Sequence, residues 1–175
     1  SKIGIIVSPI PVQYGKYEIT KIIDDIRPKG YIGIASFNSK NFTEGIRDAF
    51  TDEHILFSVG DAEGFINIDK EGLGENSLVD SDAYIQSITN SATDILTICW
   101  TSGTTGTPKG VPRSHNLWST MAKAAYHLAD TQKGDILLNP FPLVNMASIG
   151  GFLFNWLICK GKLIQHHPFD LNIYL

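Results

Sequence analysis

Apolar residues recur along the chain with two alternating periods, one typical of strands and one typical of helices. Apolar runs predict strands at 3–7, 31–37, 54–60, 95–100, 135–139 and 162–167, with a shorter strand at 65–68. Helical spacing predicts helices at 17–28, 42–50 and 148–159, a further helix after Ser114, a turn at 84–88 and a helix start at 170–175. Because strands and helices alternate, the sequence predicts an α/β fold built on a mainly parallel sheet.

Individual residues add detail to the predicted helices and to the strand at 95–100. The apolar stripe of the first helix consists of Ile19, Ile22, Ile23 and Ile26, and that of the helix after Ser114 consists of Leu117, Met121, Ala124, Ala125 and Leu128. Pro28 is expected to end the first helix, Ser114 to cap the second, and Gly161 to stop the helix at 148–159. The continuous apolar run ILTICW, 95–100, is typical of a strand buried on both faces of a parallel sheet.

The composition divides the chain into three segments. Residues 1–60 are predicted to form the first βα units, and residues 95–175 hold a strand, a helix and further βα units. Residues 61–94 are rich in Gly, Asp, Glu, Asn and Ser, which indicates an irregular connection. Because both ends of the chain fall within patterned apolar segments, we expect an incomplete fragment of a larger domain.

Bulk composition excludes several classes of function. Hydrophobic residues make up 43% of the 175 residues and charged residues 18%, which favours a globular protein over a disordered one. The 14 Lys and Arg are spread along a chain of net charge −4, so no basic patch predicts nucleic-acid binding. The apolar runs are shorter than the roughly 20 residues of a membrane span. Cys99 and Cys159 lie in apolar surroundings typical of free thiols in a reducing cytoplasm, with a disulfide as the alternative.

The segment TSGTTGTPKG is predicted to join the strand at 95–100 to the helix after Ser114, and it contains no bulky apolar side chain. It consists of Thr101, Ser102, Gly103, Thr104, Thr105, Gly106, Thr107, Pro108, Lys109 and Gly110. Its glycines leave main-chain N–H groups accessible, its hydroxyls add donors, and Lys109 adds a mobile positive charge. Since ligands of open α/β sheets bind beyond the carboxyl ends of strands, the segment predicts a phosphate-binding loop for ATP. The alternative is a flexible surface loop without chemistry.

This segment differs from two common nucleotide-binding motifs. In G-x-x-x-x-G-K-[ST], a Gly precedes the Lys and a Ser or Thr follows it to hold Mg²⁺. Here Pro108 and Gly110 occupy those two positions, which disfavours a kinase-like ATPase. The segment does not fit the dinucleotide-binding pattern G-x-G-x-x-G either.

TSGTTGTPKG resembles the signature of the AMP-forming adenylating enzymes. This family includes acyl-CoA synthetases, adenylation domains of peptide synthetases and firefly-type luciferases. GKYEITKIIDDIRPKGYI at 15–32 and GVPRSHNLW at 110–118 are similar to further segments of the family. FPLVNMASIGG at 141–151 lies where the family has P-[LM]-x-H-x-x-G. The resemblance covers nearly the whole chain and implies the α/β large domain of an adenylate-forming enzyme.

The resemblance implies where ATP binds. The loop from Thr101 to Gly110 would hold the β- and γ-phosphates, with Thr104, Thr105 and Lys109 as the main side-chain contacts. Thr105 and Lys109 would be the catalytic residues of this chain. His115 is expected to be a structural residue of the first helical turn, with phosphate contact as the alternative.

The resemblance also implies an acyl pocket, to which Asn145, Met146 and Gly150 would contribute. Asn145 stands where the family has a His. An Asn side chain forms hydrogen bonds but cannot take a positive charge, so this pocket would differ electrostatically from that of its relatives. Core packing is the alternative role for each of these residues.

The implied reaction activates a carboxylic acid as acyl-AMP with release of pyrophosphate, and a thiol then takes the acyl group. ATP, Mg²⁺ and coenzyme A are the implied cofactors and cosubstrates, no resident metal site is predicted, and the oligomeric state stays open. The family's downstream Y-G-x-T-E segment, ribose-binding Asp and C-terminal domain with its lysine are not in 1–175. We therefore expect this chain alone to be inactive.

Two alternatives to a carboxylate–CoA ligase remain at this point. The first is an adenylation domain that loads a carrier protein, and the second is a non-catalytic nucleotide-binding module. The sequence PRSHN at 112–116 is similar to that of ligases for aryl acids, and Asn145 with Met146 indicates a moderately apolar pocket.

Overall fold

The computed structural model describes residues 3–37, 39–70, 81–101, 108–166 and 169–174. These residues belong to two compact units. The three-stranded unit comprises the described residues of 12–84 and 102–108, and the hairpin unit comprises those of 1–11, 85–101 and 109–175. Helix α2 runs from one to the other along the chain.

The three-stranded unit is built on a short parallel sheet. Its elements are α1 (Lys16–Ile26), β1 (Gly30–Ile34), β2 (Ser36–Phe37), β3 (Lys40–Asn41), a 3₁₀ turn (Arg47–Ala49), β4 (Ile55–Val59) and β5 (Ile66–Asn67). The sheet has the order β1-β4-β5, and both pairs of strands are parallel. Strands β2 and β3 form a separate antiparallel pair.

Helix α1 confirms the helix predicted at 17–28. The Gly15 N–H donates to Glu18 Oε2 at 3.0 Å. This bond satisfies a main-chain N–H group at the helix start that has no partner within the helix. The helix ends at Ile26 because Arg27 has a left-handed backbone (φ 44°), and the Arg27 N–H donates to the Ile23 carbonyl at 2.8 Å. Pro28 follows this cap.

The helix predicted at 42–50 is wrong, since only a 3₁₀ turn forms there. The Asn41 side-chain oxygen accepts hydrogen bonds from the Thr43 N–H at 2.9 Å and the Glu44 N–H at 3.0 Å. Such local side-chain bonds compete with the helical hydrogen-bond pattern. Gly45 then takes a left-handed backbone (φ 74°), which stops a helix at this position.

The core of the three-stranded unit lies on one face of its sheet. Leu56 and Ser58 on β4 are buried, whereas Ile55 and Val59 on the opposite face are exposed. Tyr31 pairs with Leu56 across the strands, and its ring lies 5.2 Å from that of Phe50. Burial raises the pKa of the Tyr31 hydroxyl above its usual value.

The hairpin unit contains two pairs of strands and the longest helix of the described residues. Its elements, preceded by α2 (Ser81–Ser87), are β6 (Ile95–Thr101), β7 (Lys109–Ser114), α3 (His115–Leu128), β8 (Ile136–Asn139), a π-helix (Ala147–Leu153), α4 (Phe154–Cys159), β9 (Lys162–Gln165) and α5 (Leu171–Tyr174). Strands β8 and β9 are parallel, from Ile136 opposite Lys162 to Asn139 opposite Gln165. With the β1-β4-β5 sheet, they confirm the predicted α/β fold with mainly parallel pairing.

The strand predicted at 95–100 exists, but the prediction that it lies within a parallel sheet is wrong. Strand β6 pairs with β7 in antiparallel orientation, and the sequence analysis did not predict β7. In place of the strand predicted at 3–7, Val7 makes an isolated parallel bridge to Thr97, with hydrogen bonds of 3.0 Å to Leu96 and Ile98. A long-range hydrogen-bonded partner of this kind leaves no periodic signal in the local sequence.

Helix α3 begins as predicted, but the stripe that it buries matches the predicted one only in part, since Met121 packs against the core. The Ser114 hydroxyl accepts from the Leu117 N–H at 3.3 Å and caps the helix. Trp118 and Ala122 are fully buried, whereas Leu128 of the predicted stripe is 88% exposed. The Trp118 indole N–H donates to Thr97 Oγ1 at 2.9 Å, which satisfies its polar atom inside the core.

Trp118 is at the centre of the hairpin unit's core. Cys99, Trp118 and Ile149 form a buried cluster, with Leu96, Met121, Leu153 and Phe154 packed against it. The rings of Trp118 and Phe154 stack with their centroids 5.8 Å apart. Fully burying a side chain of this kind contributes on the order of 1.5–3 kcal/mol. Cys99 and Cys159 are both buried free thiols.

The helix predicted at 148–159 forms in two parts. Its first half is a π-helix that contains the Gly150–Gly151 pair, and the second half is α-helical. The chain leaves α4 at Lys160, which has a left-handed backbone (φ 54°). The next residue, Gly161, lies against the Asp135 backbone, where a Cβ atom would overlap the Asp135 carbonyl oxygen. A glycine is therefore required directly after the helix.

Candidate functional site

The residue pair Thr101–Lys109 closes the hairpin that carries the predicted phosphate-binding segment. Thr101 ends β6, Lys109 begins β7, and the two lie opposite each other in the antiparallel register. Both are exposed, and Pro108 beside Lys109 is buried. The segment therefore joins two antiparallel strands, which corrects the expectation that it joins a strand to a helix.

Part of the predicted site lies outside the described residues. This part comprises Ser102, Gly103, Thr104, Thr105, Gly106 and Thr107. Their predicted phosphate contacts, including the catalytic role of Thr105, remain predictions. The described residues define the two ends between which the segment must run.

Gly110 allows the base of the hairpin to close tightly. It lies opposite Trp100, and a Cβ atom at Gly110 would be 3.0 Å from Ile98 Cγ2 and 3.1 Å from Trp100 Cη2. The Trp100 indole N–H donates to the Ser8 hydroxyl at 2.7 Å, and this hydroxyl donates to the Ile98 carbonyl at 3.3 Å. The ring is thus held across a position that only glycine fits without displacement. Gly110 has a packing role here, and its predicted contact with phosphate is a separate proposal.

Alternate residues of β7 share one face of the hairpin. On this face Lys109, Val111 and Arg113 lie opposite Thr101, Cys99 and Thr97, respectively. Cys99 and Thr97 are buried against the core, whereas Lys109 is exposed at the open end. The core therefore fixes the strand that presents Lys109, while the Lys109 side chain itself remains accessible to an anion.

Asn145, which stands in place of the family's histidine, holds the start of the π-helix. Its side-chain oxygen accepts from the Ser148 N–H at 2.8 Å, and its main-chain carbonyl accepts from the Ile149 N–H at 3.0 Å. Because the Ser148 N–H is a donor, the atom of the Asn145 amide that faces it must be the oxygen. The Nδ2 group of Asn145 is therefore the part of the amide that can donate to another acceptor. The predicted role of Asn145 in an acyl pocket remains a prediction, and this amide group is what Asn145 offers to it.

A buried polar network holds the turn that carries Asn145. Asn139, which is fully buried at the end of β8, donates to Ser148 Oγ at 2.6 Å and to Gln165 Oε1 at 2.7 Å. Its own side-chain oxygen accepts from the Phe141 N–H at 3.1 Å. Gln165 donates to the Phe141 carbonyl at 2.7 Å, so strand β9, the turn and the π-helix are joined through one amide. A satisfied network of this kind fixes a single backbone arrangement.

Gly150 lies within the π-helix, and Met146 directly precedes it. Gly150 is buried, and a Cβ atom there would be 2.8 Å from Met121 Cε and 3.2 Å from Trp118 Cζ3. Close packing against α3 therefore requires glycine at 150. Met146 is 37% exposed, and its sulfur lies 3.0 Å from Nη2 of Arg113. Their contribution to an acyl pocket stays a prediction.

His115 begins α3, as expected for a residue of the first helical turn. Its main-chain N–H donates to the Asp94 carbonyl at 3.2 Å, and the Asn116 N–H donates to the Ala92 carbonyl at 2.9 Å. These two bonds join the start of α3 to the connection before β6. They support a structural position for His115.

A comparison with protein families decides which family the chain comes from. The model of a family described as AMP-binding enzyme matches residues 1–173. The chain belongs to this family. The resemblance of the segment from Thr101 to Gly110 to the signature of the adenylating enzymes is therefore confirmed at the level of the family.

Individual relatives agree with the family. A protein of Arabidopsis thaliana, described as 2-succinylbenzoate–CoA ligase, chloroplastic/peroxisomal, is 41% identical over 56 residues, which are 32% of this chain and 10% of that protein. The apo structure of MbtA from Mycobacterium smegmatis has a TM-score of 0.76 at 15% identity and is matched over 93% of this chain and 29% of its own.

Two further solved structures carry ligands. The anthranilate CoA ligase AuaEII in complex with anthranoyl-AMP has a TM-score of 0.70 at 21% identity, over 93% of this chain and 31% of its own. The O-succinylbenzoate coenzyme A synthetase MenE from Bacillus subtilis, in complex with ATP and magnesium, has a TM-score of 0.67 at 16% identity, over 98% of this chain and 31% of its own. These likenesses confirm the fold, and this chain spans less than a third of each of the three solved structures.

Within the residues that the structure describes, no helix is both long and apolar enough to cross a bilayer. The same residues contain no group of three or more His, Cys, Asp or Glu side chains placed to bind a metal ion.

Sequence reasoning missed three features of this site. They are strand β7, the Asn139 network and the contact between Arg113 and Met146. Strand β7, KGVPRS, has no apolar alternation in its sequence, and the lower exposure of Val111 and Arg113 relative to Gly110 and Pro112 is seen only in the structure. Pro112 has no N–H to donate and is tolerated in a strand that lies at the edge of its sheet. The other two features depend on residues 26 and 33 positions apart, and no local pattern reports them.

Proposed function

We propose that this chain forms the triphosphate-binding part of an ATP-dependent carboxylate–CoA ligase. The observation that carries the proposal is the hairpin closed by Thr101 and Lys109 within a chain of the AMP-binding enzyme family. The closing pair holds both ends of a segment rich in main-chain and hydroxyl donors, and Lys109 is exposed beside it. This combination suits the β- and γ-phosphates of ATP.

The proposed reaction has two steps. A carboxylate oxygen of the acid attacks the α-phosphorus of ATP, the bond from that phosphorus to the bridging oxygen breaks, and pyrophosphate leaves. The sulfur of coenzyme A then attacks the acyl carbon, the thiol proton is released, and AMP leaves. The first step brings two anions together, so the protein must neutralise charge and align the reactants. In our proposal, Lys109 neutralises the leaving pyrophosphate, and the donors of residues 101–107 orient it.

Magnesium would reach this site with the nucleotide. The described residues contain no cluster of acidic, His or Cys side chains for a metal ion, and Thr101 offers a single hydroxyl. Mg²⁺ prefers few protein ligands and binds nucleotide phosphates directly. We therefore propose that the ion enters as the ATP complex.

An aryl acid is the substrate class that the relatives favour. The Arabidopsis protein is described as a ligase for 2-succinylbenzoate, and AuaEII as a ligase for anthranilate. Both descriptions name CoA as the acceptor, which supports coenzyme A over a carrier protein. We propose a cytoplasmic location for this protein. The Arabidopsis relative, in contrast, is described as chloroplastic/peroxisomal.

Acid-dependent exchange of pyrophosphate into ATP tests the role of Lys109. In the full-length protein that carries this chain, we expect Lys109→Met to lower kcat/KM for exchange by roughly 10²–10³-fold, because a charge on the leaving group loses its partner. Lys123→Met is the matched control, since it removes an exposed lysine of α3, and its exchange rate should equal that of the wild type.

The same assay applied to residues 1–175 alone should give no exchange, because the family's downstream nucleotide-binding and catalytic motifs are absent from them. A kcat/KM for exchange in Lys109→Met equal to that of the wild type would contradict the proposed role of Lys109. Exchange catalysed by the isolated chain would contradict our assignment of essential groups to other segments.

A further inference from the structure

Arg113 places a guanidinium group beside Met146, in the segment that the family resemblance assigns to the acyl pocket. It lies on β7, on the same strand face as Lys109 and four residues further along. The side chain is partly buried, and its Nη2 atom lies 3.0 Å from the sulfur of Met146. The two residues are 33 positions apart in the sequence, so the folded chain creates this contact.

The polar groups of Arg113 are poorly satisfied by the protein. Among the described residues, its Nε atom is buried without a hydrogen-bond partner, and the Met146 thioether that faces Nη2 is a weak acceptor. In the part of the chain that the structure describes, the ion pairs are Lys16–Asp48, Arg47–Asp52 and Lys70–Asp61, and none of them includes Arg113. A guanidinium group has a planar fork of donors that matches a carboxylate in two parallel hydrogen bonds. Within the described ranges, Arg113 therefore lacks the anionic partner that its chemistry favours.

Arg113 and Lys109 lie at different ends of β7, and the contact with Met146 holds the Arg113 guanidinium away from the Lys109 end. A strand rises about 3.3 Å per residue, so their Cα atoms are separated by about 13 Å. Lys109 stands at the open end of the hairpin, whereas Arg113 stands at the end that enters α3. If Lys109 binds the β- and γ-phosphates, the anion at Arg113 belongs to another part of the bound substrates.

We propose that Arg113 and Met146 form a subsite for a second carboxylate on the acid that is activated. The guanidinium would bind this carboxylate, and the Met146 side chain would contact the apolar body of the same acid. The inference rests on the proposed function and narrows its substrate class to acids with two carboxylates. Arg113 would determine specificity and take no part in the bonds that form and break.

The test uses matched pairs of acids and the full-length protein. Each pair consists of a dicarboxylic acid and its monoamide, in which the carboxylate to be activated is retained and the second one is neutral. We expect kcat/KM for acid-dependent pyrophosphate exchange to favour the dicarboxylic acid by about 10- to 100-fold, the range for a hydrogen bond to a charged group. Arg113→Met should abolish this preference, mainly through a higher KM for the dicarboxylic acid. The KM for ATP should stay unchanged.

Two controls keep the result interpretable. Arg113→Lys retains the charge and most of the aliphatic stem but loses the fork, so it should fold and retain only part of the preference. Lys123→Met removes one positive charge from the exposed part of α3 and should leave the preference intact.

Each remaining outcome overturns a defined part of the account. Two results overturn the subsite and leave the proposed function intact. One is an equal loss of kcat/KM for both acids of a pair in Arg113→Met and Arg113→Lys. The other is a preference of the wild type for the monoamide. A raised KM for ATP in both variants also overturns the subsite, because the guanidinium would then serve the nucleotide. No exchange with any acid, dicarboxylic or monocarboxylic, contradicts the proposed function itself and the subsite with it.

Discussion

Gly110 sets the geometry of the hairpin at the scale of a single residue. The Trp100 ring lies across it, held by the hydrogen bond from its indole N–H to Ser8, and Ile98 fills the neighbouring space. In the proposed site, Gly110 follows directly after Lys109, so a shift of the strand here would also move the lysine. The signature that predicts phosphate binding thus includes a residue whose observed contacts serve packing.

We expect Gly110→Val to lower the free energy of unfolding by about 1–3 kcal/mol, because the new side chain must displace Ile98 or Trp100. Gly151→Ala is the matched control, since a Cβ atom there would meet no atom of the described residues within 4 Å, and its effect should stay within about 0.5 kcal/mol. Urea-induced unfolding followed by tryptophan fluorescence measures both variants. Equal midpoints for Gly110→Val and the wild type would contradict the packing that we describe.

The residues of the proposed site were predictable from the sequence to different degrees. Lys109 could be predicted because it stands within a motif whose residue types carry the chemistry locally. Arg113 could not, because its significance depends on Met146, which is distant in sequence, and on the absence of an ion-pair partner among the described residues. Asn145 was predicted as a departure from the family pattern, and its hydrogen bond to the Ser148 N–H was visible only in the structure.

At the scale of elements, one buried amide joins the strand β8 to the strand β9 and the π-helix. Asn139 is fully buried and forms hydrogen bonds with Ser148, Gln165 and the Phe141 backbone. The turn between β8 and the π-helix carries Asn145 and Met146. The position of the proposed acyl-pocket residues therefore depends on this network.

We expect Asn139→Leu to lower the free energy of unfolding by about 2–4 kcal/mol, because the partners of the amide are left buried and unsatisfied. Asn116→Leu on the exposed surface of α3 is the matched control and should change the stability by less than about 0.5 kcal/mol. Thermal unfolding of both variants provides the comparison. A loss of similar size in the two variants would show that the network contributes nothing specific.

Elements with a strong local period were predicted well, and elements fixed by distant partners were not. Helix α1 and strands β4 and β8 follow the apolar pattern to within two residues of the predicted bounds. The helix expected at 42–50 failed because Asn41 bonds to the backbone that follows it and Gly45 takes a left-handed conformation. Strand β7 was missed because only its pairing with β6 defines it.

At the scale of the whole molecule, the chain is a member of the AMP-binding enzyme family in two compact units. It covers less than a third of the solved structures described above. The family and the fold class were predictable from the sequence, since the motif is long and the alternation of strands and helices is regular. The acid, the acceptor and the groups that complete the reaction depend on residues beyond the motif, so for these we offer proposals.

The central claim is that the connection between β6 and β7 binds the triphosphate of ATP. A crystal structure of the full-length protein with ATP and Mg²⁺ tests it most directly. We predict that the β- and γ-phosphate oxygens lie against the main-chain N–H groups of residues 102–107 and within about 3.2 Å of Lys109 Nζ. A triphosphate bound elsewhere, with Lys109 Nζ still facing solvent, would contradict the claim.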